Sequence, residues 1–450
     1  MLRIGMLTSG GDCQGLNAAM RGVAKTLFEG REDVEIFGYI DGYKGLMNGD
    51  YRKMSNSDFS GILNLGGAIL GTSRMPFKEI NDQADPDSNY QETRLEAMVR
   101  NYKMQKLDCL VTLGGNGSLK SANALSEAGC NVIALPKTID NDIYGTELTF
   151  GFISAAGVGT DVIDGIHTTA TSHGRIFIIE LMGHKVGWLA LYAGIAGGAD
   201  VILIPEIPYS LDSIVEALNR RSAERKRFSI IVMAEGALSQ EDAKLSKDEV
   251  SKRIANSKFP SNTYELAHQL EERMGQEVRV TVPGHYQRGG NPVAYDRVYA
   301  SRVGVAGAEL ILNQQYGYLV GMRDEELVAF PLNEVADRLK YVEPSGTLVR
   351  TARDLGLYLG DEEFSEEGVI TWPEYDVLNR YESKYTKIED MIQRMNYRPV
   401  EKRLRVELEH ERRRKDNKVE EEVIVEKDAK RSGKGSKDSG KDSKKSGKDD

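Results

Sequence analysis

The sequence predicts an α/β fold: two doubly wound α/β domains facing each other across a cleft, followed by a charged tail. Three observations carry this reading. Apolar runs of strand length alternate with amphipathic runs of helix length. The apolar runs are nearly continuous, as in strands covered on both faces. The chain has 450 residues, 40% of them hydrophobic, which is more than one core usually fills.

Strands are expected at residues 2–8, 34–40, 107–113, 132–135, 176–181, 201–204, 229–234 and 278–282. Amphipathic helices are expected at 17–29, 94–105, 212–221 and 264–274, with another at 118–127. No repeat of solenoid period is present. Composition changes near residue 410. From Lys430 onward the side chains are only Lys, Arg, Ser, Gly and Asp. Such a segment cannot bury enough apolar surface to order itself, so 411–450 reads as a charged low-complexity tail.

The formal net charge is −10, so nucleic acid is not an expected partner. Three cysteines, Cys13, Cys109 and Cys130, make neither a disulfide framework nor a zinc site. A reducing cytoplasm is the expected compartment. The first residues become glycine-rich too soon for a secretory leader, and no apolar run approaches membrane-spanning length.

Five motifs carry chemistry. TSGGDCQGLN (8–17) follows the first strand and enters a helix. Glycines at such a turn aim free amides and a helix N-terminus at a ligand, a geometry suited to phosphate. It is neither a Walker A loop nor GxGxxG, and a plain βα turn fits it equally well. GGNGS (114–118) repeats the arrangement. An open parallel sheet gathers its ligand loops at one edge, so two such turns reinforce each other.

PKTIDND (136–142) is the most specific. Asp140 and Asp142 stand two apart, and in an extended segment they would share a face with Thr138. One can accept a proton while the other helps place a metal ion. A fourth set is cationic: Arg74, His173, Arg175, Arg279, His285 and Arg288, mostly in Gly- or Ser-rich turns. The planar guanidinium suits phosphate. The fifth, ELMGHKVG (180–187), places backbone at Met182 and Gly183 where a sugar could meet it, although a plain turn fits as well. Together these residues suggest phosphoryl transfer.

In this order the segments resemble the 6-phosphofructokinase family. The match includes LTSGGD, DGYKGL (41–46), LGTSR (70–74), GGNGS, PKTIDNDIYGTELTFGF, TSHGRIFIIELMGHKVG, AGIAGGAD (193–200), MAEG (233–236) and VPGHYQRGGNPVAYDR (282–297), spread over residues 2 to about 350. The resemblance implies two Rossmann-like domains. Residues 1–150 plus about 287–340 would hold the phosphoryl donor. Residues 151–286 plus about 341–410 would hold fructose 6-phosphate. It implies a phosphotransferase with an alcohol acceptor: a terminal phosphoryl group moves to the 1-hydroxyl of fructose 6-phosphate, with Mg²⁺ as cofactor, in glycolysis.

It also assigns roles. Asp140 would be the general base, with Thr138, Lys137 and Arg175 also catalytic. Gly11, Tyr43, Arg74, Gly115, Asn116, Gly117 and Ser118 would hold the donor. Thr138, Asp140, Asp142, Met182, Gly183, His184, Glu235, His285 and Arg288 would bind the sugar phosphate. Arg175 and Arg279 would reach it from a neighbouring subunit, which implies a homodimer or homotetramer. Asn116 and Asp142 would contact the metal. Asn116 departs from the family, which commonly has Asp there. Pyrophosphate-using members resemble GGDDS and PKTIDND, and short ATP-using members resemble GGDGS and PGTIDND. Gly117 matches one pattern and Lys137 the other. A carboxylate at 117 would repel a nucleotide α-phosphate and glycine does not, so ATP is the expected donor and pyrophosphate the alternative. A catalytically silent regulatory subunit is the alternative of another class.

Overall fold

The computed structural model describes residues 1–87, 91–361, 386–388 and 391. The expected tail at 411–450 lies outside them. Twelve strands are present: β1 Leu2–Thr8, β2 Val34–Tyr39, β3 Tyr51–Met54, β4 Cys109–Gly114, β5 Val132–Pro136, β6 Ile176–Leu181, β7 Val201–Leu203, β8 Ser229–Ala234, β9 Val278–Thr281, β10 Tyr318–Arg323, β11 Glu326–Pro331 and the two-residue β12 Thr386–Lys387.

They form two sheets. The first has the order β12-β11-β10-β5-β4-β1-β2-β3 and the second β7-β8-β6-β9. In the first, β2, β1, β4, β5 and β10 are parallel, β3 and β11 run antiparallel to them, and the edge strand β12 pairs antiparallel with β11. The second is wholly parallel. Strands β4, β5 and β8 are buried at every residue, as their continuous apolar runs predict. The expected helices also form, at Leu16–Gly30, Arg94–Met104, Asn116–Glu127, Leu211–Ala223 and Asn262–Met274.

Both sheets have a switch point. In the first, the chain winds one way from β1 to β2 and the other way from β4 to β5, so the crevice opens at the carboxyl ends of β1 and β4. In the second, β6 lies between β8 and β9. The motifs noted above follow these strand ends.

Strands β3, β10 and β11 lie outside the expected set. The hairpin between β10 and β11 turns on Asp324 and Glu325, which have φ of 51° and 65°. Positive φ at both central residues is the geometry of a tight hairpin turn usually filled by Asn-Gly or Gly-Gly. An acidic pair hides it. Chain beyond residue 312 therefore returns to the first sheet. It then crosses back, where Tyr358 bridges Val201 and the helix Thr347–Asp354 packs with the second layer.

Two features of this frame are testable. Helices Leu16–Gly30 and Ala294–Leu312 pack backbone to backbone, and a Cβ on Gly22 would lie 2.7 Å from the Ser301 carbonyl oxygen. Gly22→Ala should lower the free energy of unfolding in urea by about 1–3 kcal/mol, because neither backbone can yield. Glu206 is 2% exposed and accepts amide protons from Gly187 and Val342, while its other oxygen has no partner. Burial pushes its carboxyl up to about 7 from the ordinary 4.5. The native state then holds the proton that the unfolded chain has lost, so stability contributed below pH 4.5 falls away as pH rises towards 7. Glu206→Gln should remove this decline, read as a flatter melting temperature between pH 5 and 8.

Candidate active site

The strand ends of both sheets enclose a cavity of about 730 Å³. It is lined from the first layer by Gly11, Arg74, Gly115, Asn116, Gly117, Ser118, Lys137, Thr138, Asp140 and Asp142. From the second it is lined by Met182, His184, Glu235, His285 and Arg288. Sequence reasoning did not single out Ser9, Gly10, Met75, Pro76, Lys185 and Leu339, which also line it.

The first glycine turn is fixed by its neighbours. Ser9 N–H donates to the Leu113 carbonyl (2.9 Å), and Gly10 N–H donates to the Ser73 carbonyl (3.0 Å). Thr72 Oγ1 donates to the Gly10 carbonyl (2.7 Å), so the LGTSR loop carries the exposed Arg74 to the cavity rim. Gly11 leaves room for Arg288: a Cβ there would stand 2.8 Å from the Arg288 guanidinium. Arg288 Nη1 donates to the Asp12 carbonyl (3.0 Å), and its buried Nε has no partner.

In the second turn Gly115 caps the helix Asn116–Glu127, so Asn116, Gly117 and Ser118 form the helix's first turn and not a loop before it. The amides of Asn116 and Gly117 are the open donors of a helix N-terminus, while the Ser118 N–H donates to the Gly115 carbonyl (2.9 Å). Nothing lies within 4 Å of where a Cβ on Gly117 would be. Tyr43 does not line the cavity. It is 1% exposed, and its hydroxyl donates to the Ser118 carbonyl (2.8 Å), bracing the turn from beneath.

The aspartate segment is bent, not extended. Thr138 Oγ1 accepts the Asp140 N–H (3.0 Å), and Asn141 sits at φ 54°. Asn141 Oδ1 accepts the Thr149 N–H (3.1 Å). Both carboxylates still line the cavity. Asp140 Oδ1 and Asp142 Oδ1 are buried atoms without a hydrogen-bond partner. Burial first, then the neighbouring Asp140 charge, push the Asp142 carboxyl up to about 7. Lys137, 3% exposed, donates to the Gly11 carbonyl, and burial lowers its ammonium below the ordinary value.

Two orphan carboxylate oxygens in a phosphate-shaped cleft fit a hard divalent cation. Among the described residues no cluster of three acidic, His or Cys ligands occurs. A Mg²⁺ ion here would therefore take most of its ligands from phosphate oxygens and water, as this ion commonly does. Asn116 Nδ2 donates to the Arg338 carbonyl (2.6 Å), which leaves only its amide oxygen to offer a cation.

On the second layer, Glu235 Oε1 accepts the amides of Gly183 (3.3 Å) and His184 (2.8 Å). Gly183 thus shapes the turn without lining the cavity. Gln287 Oε1 accepts the Met182 N–H (2.9 Å), and Gln14 Nε2 donates to the carbonyls of Gln287 (3.0 Å) and Gly289 (2.7 Å). Gln14 and Gln287, both 0% exposed, stitch the His285–Arg288 turn to both sheets. Sequence reasoning passed over them, and a polar residue inside each glycine motif was the one signal available.

Arg175 and Arg279 are not in the cavity. Both pair with Glu277 at the amino end of the second sheet, away from the strand ends that carry the site.

The phosphofructokinase family model matches residues 3–311. An ATP-dependent 6-phosphofructokinase of Spirochaeta thermophila is 54% identical over 358 residues, covering 79% of this chain and 97% of that one. One from Propionibacterium freudenreichii is 43% identical, covering 80% and 100%. Among solved structures, the phosphofructokinase of Pichia pastoris in the T-state superposes with a TM-score of 0.64 at 30% identity, over 74% of this chain. The present chain spans only 35% of that longer protein. A pyrophosphate-dependent phosphofructokinase of Marinobacter aquaeolei has the same fold, with a TM-score of 0.64 at 20% identity, covering 81% and 94%. With the family model spanning more than half its length and a relative over 50% identical along most of it, the chain belongs to the phosphofructokinase family.

Proposed function

We propose that the protein is an ATP-dependent 6-phosphofructokinase. It moves the terminal phosphoryl group of ATP to the 1-hydroxyl of fructose 6-phosphate, giving fructose 1,6-bisphosphate in glycolysis. One observation carries this reading: a single cavity joins two amide-rich glycine turns, a buried lysine, two carboxylates with unpaired oxygens, and a His–Arg turn.

Asp140 takes the proton from the attacking hydroxyl, with its orphan Oδ1 as acceptor. The amides of residues 115–117, the Ser118 side chain and the Arg74 guanidinium hold the donor phosphates. Open space at Gly117 supports a nucleotide rather than pyrophosphate as donor. Lys137 offers positive charge towards the transferring group, and Thr138 orders the turn beneath it. His285 and Arg288 hold the 6-phosphate, and the Met182–His184 turn with Glu235 holds the sugar. Asp142 and the Asn116 amide oxygen would hold Mg²⁺. That ion, when bound, neutralises charge on the transferring phosphate.

On this reading residues 1–150 with about 287–340 serve the donor, and 151–286 with about 341–410 serve the sugar. Arg175 and Arg279, displaced from the cavity, serve a neighbouring copy in a homodimer or homotetramer. The sites of use are metabolite pools in the cytoplasm.

Purified protein with fructose 6-phosphate and Mg²⁺ should form fructose 1,6-bisphosphate from ATP and not from an equal concentration of pyrophosphate. Product from pyrophosphate alone would overturn the donor assignment. Asp140→Asn should lower kcat about 10²–10⁴-fold while fructose 6-phosphate still binds by calorimetry. Gly11→Ala should displace Arg288 and raise the KM for fructose 6-phosphate about tenfold, because a charge-assisted phosphate contact is lost.

A further inference from the structure

Residues 337–342 cross from the first layer to the second beside the cavity. At one end, Lys120 of the donor helix pairs with Asp337 (3.0 Å), and Asn116 donates to the Arg338 carbonyl. Leu339 bridges Ile143 and lines the cavity. At the other end, Val342 N–H donates to Glu206 (2.9 Å), which also holds the start of the helix Trp188–Ala196 through Gly187.

Lys340 sits at the middle of this crossing, 3% exposed. Its ammonium makes three hydrogen bonds, to Asn141 Oδ1 (2.8 Å) and to the carbonyls of Thr146 (3.0 Å) and Glu147 (2.8 Å). Its own N–H donates to the Asp142 carbonyl (2.9 Å), and its carbonyl accepts from Trp188 Nε1 (2.9 Å). An ammonium buried among neutral acceptors is costly to desolvate. One acceptor, Asn141, lies between the two aspartates, and the other two, Thr146 and Glu147, lie in the segment that follows them. Asn141 stands between the aspartates in a left-handed conformation, which asparagine tolerates more readily than most residues; Thr149 N–H holds its Oδ1 within the turn, and a further restraint comes from outside it. Lys340 supplies that restraint through side chain and main chain together, and it touches no position that lines the cavity except through Asp142 and Leu339.

We propose that Lys340 is a positioning residue for phosphoryl transfer: it locks Asn141 and so aims Asp140 and Asp142 into the cleft, while the crossing that carries it ties this turn to the donor helix through Asn116. The proposal rests on the activity assigned above. It separates Lys340 from the substrate contacts, which come from residues 115–118, His285 and Arg288. Loss of the latch therefore misaligns the base without removing the phosphate grips.

The test is steady-state kinetics of Lys340→Met, which keeps the apolar stem against Trp188 and removes every donor, and of Lys340→Gln, which keeps two. Wild-type protein is measured alongside, and urea unfolding of each variant gives its folded fraction. The expected result, per folded molecule, is a kcat lower by about 10²-fold in Lys340→Met. Lys340→Gln should fall between it and wild type, with the KM values for ATP and fructose 6-phosphate within about 3-fold of wild type. A kcat within 3-fold of wild type in folded Lys340→Met would overturn the proposal and leave the residue a purely structural one. So would a rise in KM at constant kcat. If Lys340→Met does not fold, Lys340→Gln decides by the same criteria. Absence of turnover in wild-type protein would instead strike the assigned activity.

Discussion

Asp140 and Asp142 each carry one carboxylate oxygen out of water on one turn, and much of the surrounding structure answers the electrostatic cost of doing so. Burial, then the neighbouring Asp140 charge, disfavour the ionised form of Asp142. Two buried ammonium groups feel these charges, Lys137 those of both aspartates and Lys340 that of Asp142. Burial lowers both below the ordinary lysine value, Lys340 to about 7, and the carboxylates pull the other way. Neither lysine reaches a carboxylate by hydrogen bond. Each is instead satisfied by carbonyl or amide oxygens, so the orphan oxygens of the aspartates stay available to what enters the cleft.

That arrangement depends on the sheets. Parallel strands point all their carboxyl ends one way, and a switch in winding direction opens a crevice at that edge. The first sheet contributes glycine turns after β1 and β4 and the aspartates after β5. The second contributes a backbone turn after β6, Glu235 after β8 and a cationic turn after β9. The two edges meet because buried polar side chains join them. Gln14 reaches from the first glycine turn to the cationic turn, and Gln287 reaches from there to β6. Each amide still keeps one buried atom without a partner, Gln14 Oε1 and Gln287 Nε2, and the bonds that are made fix the facing geometry.

Polar crossings also explain an amide at position 116. An amide nitrogen can donate to the Arg338 carbonyl, whereas a carboxylate at that place would face the same oxygen with like charge. The chain's departure from the common family residue is thus matched by a local partner. The donor turn is held by the segment that also holds the aspartates.

Sequence alone determined the layered α/β class, most of the parallel strands and the three turns richest in chemistry. These depend on periodicity and on residue types whose backbone and charge behaviour is local: continuous apolar runs, clustered glycines, closely spaced aspartates. It did not show the β10–β11 hairpin, because Asp324 and Glu325 take positive φ without the glycine that would have marked it. It took 138–142 as extended, because the restraint that bends it comes from Thr149 and Lys340, far along the chain or outside the motif. It placed Tyr43 with the ligand contacts, whereas packing puts the ring beneath the turn. Tertiary structure alone decided which cations meet the cleft. Arg74 and Arg288 arrive by loop contacts with Gly10 and Asp12, while Arg175 and Arg279 stay at the far end of their sheet with Glu277. The reason is physical: an arginine's type states what it can bind, but its destination is set by which end of a strand it occupies and by backbone contacts 62 residues away for the Arg74 loop and 276 away for Arg288.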